Sequence, residues 1–164
     1  MPEKNCRLNN LPYICVLTLN QISLMVSIEE YNKIGYDIIG CAFEVRKIAG
    51  RGLRENYYHR ALEWELQHKG YDVKHKVVIP VIYKGEVIND AYEADIIVNN
   101  LVIVETKAVT AMNETECRQI ITYMKLMSMK LGYLINFGSK DFGFGSTLDK
   151  LPFNKGIYRF VNGL

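Results

Sequence analysis

Leu101-Val102-Ile103-Val104-Glu105-Thr106-Lys107-Ala108 is the stretch that decides the fold. Four aliphatic residues in succession show no helical period and read as a strand buried on both faces. Such a strand lies inside a sheet that is covered on both sides. Just upstream, Asn99-Asn100 marks a turn, and Tyr92 to Val98 reads as a second strand leading into it. Further back, Val73 to Tyr83 is rich in β-branched and aromatic residues and forms the first strand. Pro80 inside it predicts an edge position or a bulge. Lys84-Gly85-Glu86 is the turn that joins these first two strands.

On either side of this meander the period changes. Ile34, Ile38, Cys41/Ala42, Val45 and Ile48/Ala49 recur at spacings of three and four, which predicts a helix from Glu29 to the Gly50-Arg51-Gly52 stop. Gly35 and Gly40 lower its propensity without breaking the pattern. A second helix runs from about Leu53 to Lys69, with Tyr58, Leu62 and Leu66 on its apolar stripe and Gly70 as the stop. After the third strand, Asn113-Glu114-Thr115-Glu116 has the form of a capping box. It opens a helix whose core stripe is Cys117, Ile120/Ile121, Met124 and Met127. Leu131 to Phe137 is a short buried strand, Gly138 to Lys155 reads as a long loop, and Gly156 to Val161 is a last strand. The order is α-α-β-β-β-α-β-β. A meander followed by a crossover helix and another strand implies a mixed α/β sheet with helices packed on it.

A length of 164 residues is that of one ordinary domain, assigned here to residues 28–164. Apolar residues make up 49% and charged residues 23%, which excludes a disordered chain, collagen and coiled coil. With 20 basic against 18 acidic residues the net charge is +2, so any nucleic-acid contact must come from a local patch. Cys6, Cys15, Cys41 and Cys117 are not spaced as C-x-x-C, and His59, His68 and His75 have no zinc spacing. Scattered cysteines point to a reducing cytoplasm. Residues 1–27 read as a poorly ordered extension ahead of the domain. The alternatives are a targeting signal, given Lys4 and Arg7 before the apolar Leu11 to Leu19, or an extra packed element. No other segment is apolar enough to cross a membrane.

Glu105 and Lys107 sit two apart on the apolar strand and share one face, in the last place expected for solvated charge. Burying them costs several kcal/mol each unless they are paired or hold an ion. Asp95 lies on the neighbouring strand. A strict two-residue loop at 99–100 would set Asp95 opposite Val104. Asp95 meets Glu105 only if the connection has three or five residues, or a bulge. Two carboxylates on adjacent strands make a hard-oxygen site suited to Mg²⁺ or Mn²⁺. A lysine beside them positions water and stabilises developing phosphate charge, as phosphodiester hydrolysis requires. The alternative is a buried structural ion-pair cluster of Asp95, Glu105 and Lys107.

Three further features fall beside this constellation. Glu55, Tyr58 and Leu62 lie at i, i+3 and i+7, which puts Glu55 on the core-facing stripe at the start of the second helix. It is either a third carboxylate for the same metal or a glutamate placed near the positive end of the helix dipole. Gln119 and Tyr123, at i and i+4 on the third helix, either hold a phosphate or the attacking water or form a structural pair. Arg46, Lys47, Arg51, Arg54 and Arg60 make a basic run with Glu55 as its only acid. That run is a solvated face or a phosphate track.

Gly52-Leu53-Arg54-Glu55-Asn56-Tyr57-Tyr58 fits a G-x-x-E-x-x-Y signature, and Ala94-Asp95, Glu105-Thr106-Lys107, Gln119-x-x-x-Tyr123 and the closing Val161-Asn162-Gly163-Leu164 agree with it in order. On these residues the chain, from about residue 28 to 164, resembles the small bacterial GxxExxY proteins, a family similar to the PD-(D/E)XK nuclease superfamily. Ala94 stands where the motif name has proline. The resemblance implies a restriction-endonuclease-like core and an expected reaction class, metal-dependent hydrolysis of nucleic acid by a nuclease, for which DNA is the first choice of substrate over RNA. It implies Asp95 and Glu105 as metal ligands with the Thr106 carbonyl beside them, and Lys107 as the catalytic lysine. Glu55 becomes the auxiliary carboxylate, and Gln119 with Tyr123 the helix motif. The expected cofactor is Mg²⁺ or Mn²⁺. A domain this small needs a second copy, as in a homodimer, or a partner surface to grip a long duplex. The alternative is a nucleic-acid-binding module of the same fold without turnover.

Overall fold

The computed structural model describes residues 26–146 and 153–164, with the backbone alone at 89–91. The extension expected over 1–27 lies outside the described residues up to residue 25, as does part of the loop expected at 138–155.

Helix α1 (Ile28–Ala49) starts where Ser27 Oγ accepts the Glu30 N–H at 3.2 Å. Tyr31, Ile34, Ile38, Cys41, Ala42 and Val45 form its buried face. In the last turn Ala49 packs on the core, while Ile48, also expected on the stripe, is exposed. Gly35 has a packing reason to be there: a Cβ at this position would run into the Tyr133 side chain below it. Helix α2 (Glu55–His68) buries Tyr58, His59, Leu62, Glu63 and Leu66. It begins two residues later than the periodicity suggested.

Strands β1 (Val73–Tyr83) and β2 (Glu86–Val98) form an antiparallel hairpin, followed by β3 (Val102–Lys107). Helix α3 (Glu114–Leu126) crosses over to β4 (Leu131–Asn136), which pairs with β3 in parallel. The capping box of α3 is complete: Asn113 Oδ1 accepts the Thr115 N–H at 2.7 Å, and Glu116 Oε2 accepts the Asn113 N–H at 2.9 Å. Strands β5 (Asp141–Phe144) and β6 (Lys155–Val161) complete a six-stranded mixed sheet in the order β1-β2-β3-β4-β6-β5.

Pro80 satisfies both of its expectations. Strand β1 is an edge of the sheet, and the β1–β2 register shifts between Ile79 and Val81. Strand β2 and the expected loop also differ from the sequence reading. Strand β2 begins at Glu86 and not at Tyr92, because Lys84 and Gly85 turn the chain at positive φ and pairing resumes at once, Tyr83 opposite Glu86. This end of the hairpin is exposed, so its residues carry no burial pattern to read. The expected loop from 138 also contains β5, which adds a strand to the predicted order. Asp141 and Gly143 within it lower its strand propensity. It is held instead by pairing along β6 and by Phe142, stacked on Phe137 at 5.4 Å between ring centres.

The sheet separates two cores. Val98, Val102, Val104, Tyr133 and Ile135 pack with α1 and α2 on one face. Ile97, Ile103 and Leu134 pack with α3 on the other. The result is the mixed α/β sheet flanked by helices that the sequence implied, restriction-endonuclease-like in its layering. The inward alternation along β2 slips at one place. Ile96 and Val98 belong to the α1/α2 core, yet Ala94 packs on the α3 side. The residue at the slip is Asp95.

Candidate active site

The β2–β3 connection is three residues long. Asn99 and Asn100 adopt φ of 51° and 56°, and the Leu101 N–H donates to the Val98 carbonyl at 2.9 Å. Asparagine tolerates this left-handed region better than other non-glycine residues. The turn sets Ile96 opposite Val104, and so brings Asp95 level with Glu105, as the odd-length loop predicted.

Beyond the Ile96–Val104 pair, carboxylates replace main-chain carbonyls as acceptors. The Asp95 N–H donates to Glu105 Oε1 at 3.2 Å. The Thr106 N–H and hydroxyl donate to Asp95 Oδ2 at 2.9 and 3.0 Å. Asp95 is 6% exposed and Glu105 1%. Lys107 Nζ lies 3.6 Å from Glu105 Oε2.

The two acids respond oppositely to burial. For Asp95, desolvation opposes the charge, but the bonds from Thr106 and Lys76 outweigh it and hold the carboxyl below its ordinary value. For Glu105, burial and the Asp95 charge win over Lys107 and push the carboxyl up to about 8.

Residues not picked out from the sequence complete the surroundings of Asp95. Lys76 Nζ lies 3.0 Å from Asp95 Oδ1 and 3.2 Å from Glu93 Oε1. His59 is buried, with Nδ1 3.8 Å from Asp95 Oδ1, and among the described residues neither ring nitrogen is hydrogen-bonded. Burial holds His59 below its ordinary value against the pull of the Asp95 charge. His75 Nδ1 lies 3.1 Å from Glu63 Oε1 behind it. His59 was the legible one, since it follows Glu55 by one helical turn.

The other predicted residues distribute differently. Glu55 is the first residue of α2 and is exposed, unlike Tyr58 and Leu62 on the same stripe. Among the described residues no hydrogen bond or ion pair joins it to Asp95 or Glu105. Gln119 Nε2 donates to Tyr123 Oη at 2.8 Å, and Tyr123 is buried close enough to feel the charges of Glu105, Lys107 and Asp95. In the basic run, Arg46 is turned inward and donates to the Ser139 carbonyl at 3.1 Å. Lys47 meets Glu44 at 3.4 Å and Arg60 meets Glu63 at 3.9 Å. Arg51 and Arg54 are exposed and meet no carboxylate among the described residues.

The all-oxygen pair at Asp95 and Glu105 suits a hard divalent cation. Among the described residues no three His, Cys, Asp or Glu side chains gather into an ion-holding group. Any further positions fall to main-chain oxygen, water and substrate, which is how Mg²⁺ is commonly held.

The acid pair and lysine thus lie together at the end of an inner strand, in a mixed sheet flanked by helices. The family model of the PD-(D/E)XK nuclease superfamily matches residues 32–144. The chain belongs to that superfamily. No curated protein and no solved structure matches it significantly.

Proposed function

We propose that the protein is a metal-dependent phosphodiesterase that hydrolyses nucleic acid, with DNA as substrate. The observation that carries this reading is the union of Asp95, Glu105 and Lys107 in one largely buried cluster at the end of an inner strand. Asp95 and Glu105, with the Thr106 carbonyl beside them, would hold Mg²⁺ or Mn²⁺. Glu55, exposed at the start of α2, would be the auxiliary carboxylate. The cation supplies Lewis acidity toward a phosphate oxygen and makes water more acidic. Thr106 locks Asp95 in place through two hydrogen bonds to one oxygen. Lys107 would place an ammonium against the charge that grows on the phosphoryl oxygens as water attacks phosphorus in line, the water's proton passing to solvent and the leaving ester oxygen taking one from solvent. Gln119, held by Tyr123, orients a phosphate oxygen. Arg51 and Arg54, the unpaired members of the run Arg46, Lys47, Arg51, Arg54 and Arg60, track the backbone. The cysteines fit a reducing cytoplasm: Cys41 and Cys117 are free and buried.

Asp95→Ala and Lys107→Ala should each abolish cleavage that depends on added Mg²⁺ or Mn²⁺. Variants that cut as well as the parent would refute the assignment. The exposure of Glu55 favours the second reading, a binding module without turnover. It predicts salt-dependent binding of DNA with no cleavage under any divalent metal.

A further inference from the structure

Lys76 lies in the middle of β1 yet has φ of 51°. A long side chain in the left-handed region inside a strand is uncommon and strained. The β1–β2 ladder skips this position: His75 pairs with Ile96 and Val77 with Ala94, and the unpaired couple between them is Lys76 and Asp95. At the same point the alternation of β2 slips. Two strands thus break their pleat together, and the break aims an ammonium at one carboxylate oxygen.

Which oxygen it meets matters. Asp95 Oδ2 is saturated by the Thr106 N–H and hydroxyl, and both donors are buried. Oδ1 is left for a cation. Its close partner is Lys76 at 3.0 Å, on a side chain 48% exposed to solvent and shared with Glu93. The other neighbour, His59, stands off at 3.8 Å. A divalent ion that takes Asp95 as a ligand competes with Lys76 for Oδ1. The half-exposed stem gives the ammonium room to leave.

We infer that Lys76 is an internal counter-ion that occupies Asp95 until the divalent cation arrives. Once displaced, it binds a phosphate of the nucleic-acid substrate on the side of Asp95 away from Lys107. This inference rests on the metal-dependent reading of the site. It makes Lys76 a substrate-positioning residue with an opposite effect on its two ligands. It weakens the metal and strengthens the substrate, a combination that no merely structural ion pair produces.

The test is calorimetric titration of the full chain with Mn²⁺ and with Mg²⁺, alone and with a DNA oligonucleotide. Parent, Lys76→Asn, Lys76→Arg and Asp95→Ala are compared. Asparagine removes the ammonium but tolerates the positive φ. Arginine keeps the charge. Lys76→Asn should bind the metal about tenfold tighter, because a cation next to the ion has gone. It should also bind the oligonucleotide several-fold more weakly. Lys76→Arg should stay near the parent in both. Metal binding that is lost in Asp95→Ala but unchanged or weaker in Lys76→Asn overturns the inference and leaves the metal site standing. No binding in parent and Lys76→Asn, even with DNA present, overturns both together.

Discussion

Two clusters in this molecule each set an aspartate among lysines, and they behave differently. At Asp37, the Tyr71 hydroxyl donates to Oδ2 at 2.5 Å, Lys33 approaches the same oxygen at 3.4 Å, and Lys69 reaches Oδ1 at 3.2 Å. The Tyr71 bond, followed by the lysines, lowers the Asp37 carboxyl against a modest desolvation cost. Here one acid meets three donors at the surface, and its needs are met. At Asp95 a second carboxylate is buried alongside, and Glu105 is forced up to about 8. A cluster built only for stability resembles the first. The second keeps in the interior a carboxyl whose ionised form is disfavoured by burial and by the neighbouring Asp95 charge, and a bound cation would relieve that.

The largest difference between the two clusters should be in catalysis. Asp95→Ala should lower divalent-dependent cleavage by about 10³-fold or more, while Asp37→Ala leaves it within about twofold. Equal losses would show that the rate follows general stability.

Next comes stability against pH, measured by urea unfolding without divalent metal. The folded value of Glu105, about 8, exceeds its ordinary 4.5. Between these values the folded state holds more protons, so stability falls as pH rises. Glu105→Gln keeps the acceptor for the Asp95 N–H and removes the charge. It should therefore be more stable than the parent by on the order of a few kcal/mol at pH 9, with the gain fading toward pH 5. A destabilised Glu105→Gln at pH 9 would favour the structural ion-pair reading.

On the basic face, Arg51→Ala combined with Arg54→Ala should weaken DNA binding about tenfold. The slope of log affinity against log salt should flatten by about two. An unchanged slope would remove these arginines from the interface.

The smallest effect belongs to the satisfied cluster. Asp37→Asn should cost about 0.5–1 kcal/mol at pH 7, since exposed ion pairs contribute little. The Asp37 value is lowered in the fold, so this contribution is present above the ordinary carboxylate value. It is lost as pH falls through the lowered one, and the two proteins should converge in acid.

What could be read from the sequence follows from how local each signal is. The capping box at Asn113, the bulge at Pro80 and the doubly buried Val102 to Val104 depend on neighbours within a few residues, and all three are present. The meeting of Asp95 with Glu105 was readable because strand register converts loop length into pairing. Strand β5 left no trace, since its order comes from β6 and from Phe142 packing rather than from its own residues. Lys76 was equally hidden. A positive φ at lysine has no sequence signal, and its partner lies 19 residues away on the other strand. Glu55 misled in part because helical periodicity does not say where the helix overhangs the sheet. At the first turn the stripe position is exposed.

The central claim is that Asp95 and Glu105 form a site for a divalent cation. Calorimetric titration of the parent with Mn²⁺, repeated with DNA present, tests it most directly when set beside Asp95→Ala. The account predicts binding in the parent that disappears in the variant. Binding that survives Asp95→Ala unchanged, or a parent that binds no divalent ion even with DNA, would contradict it.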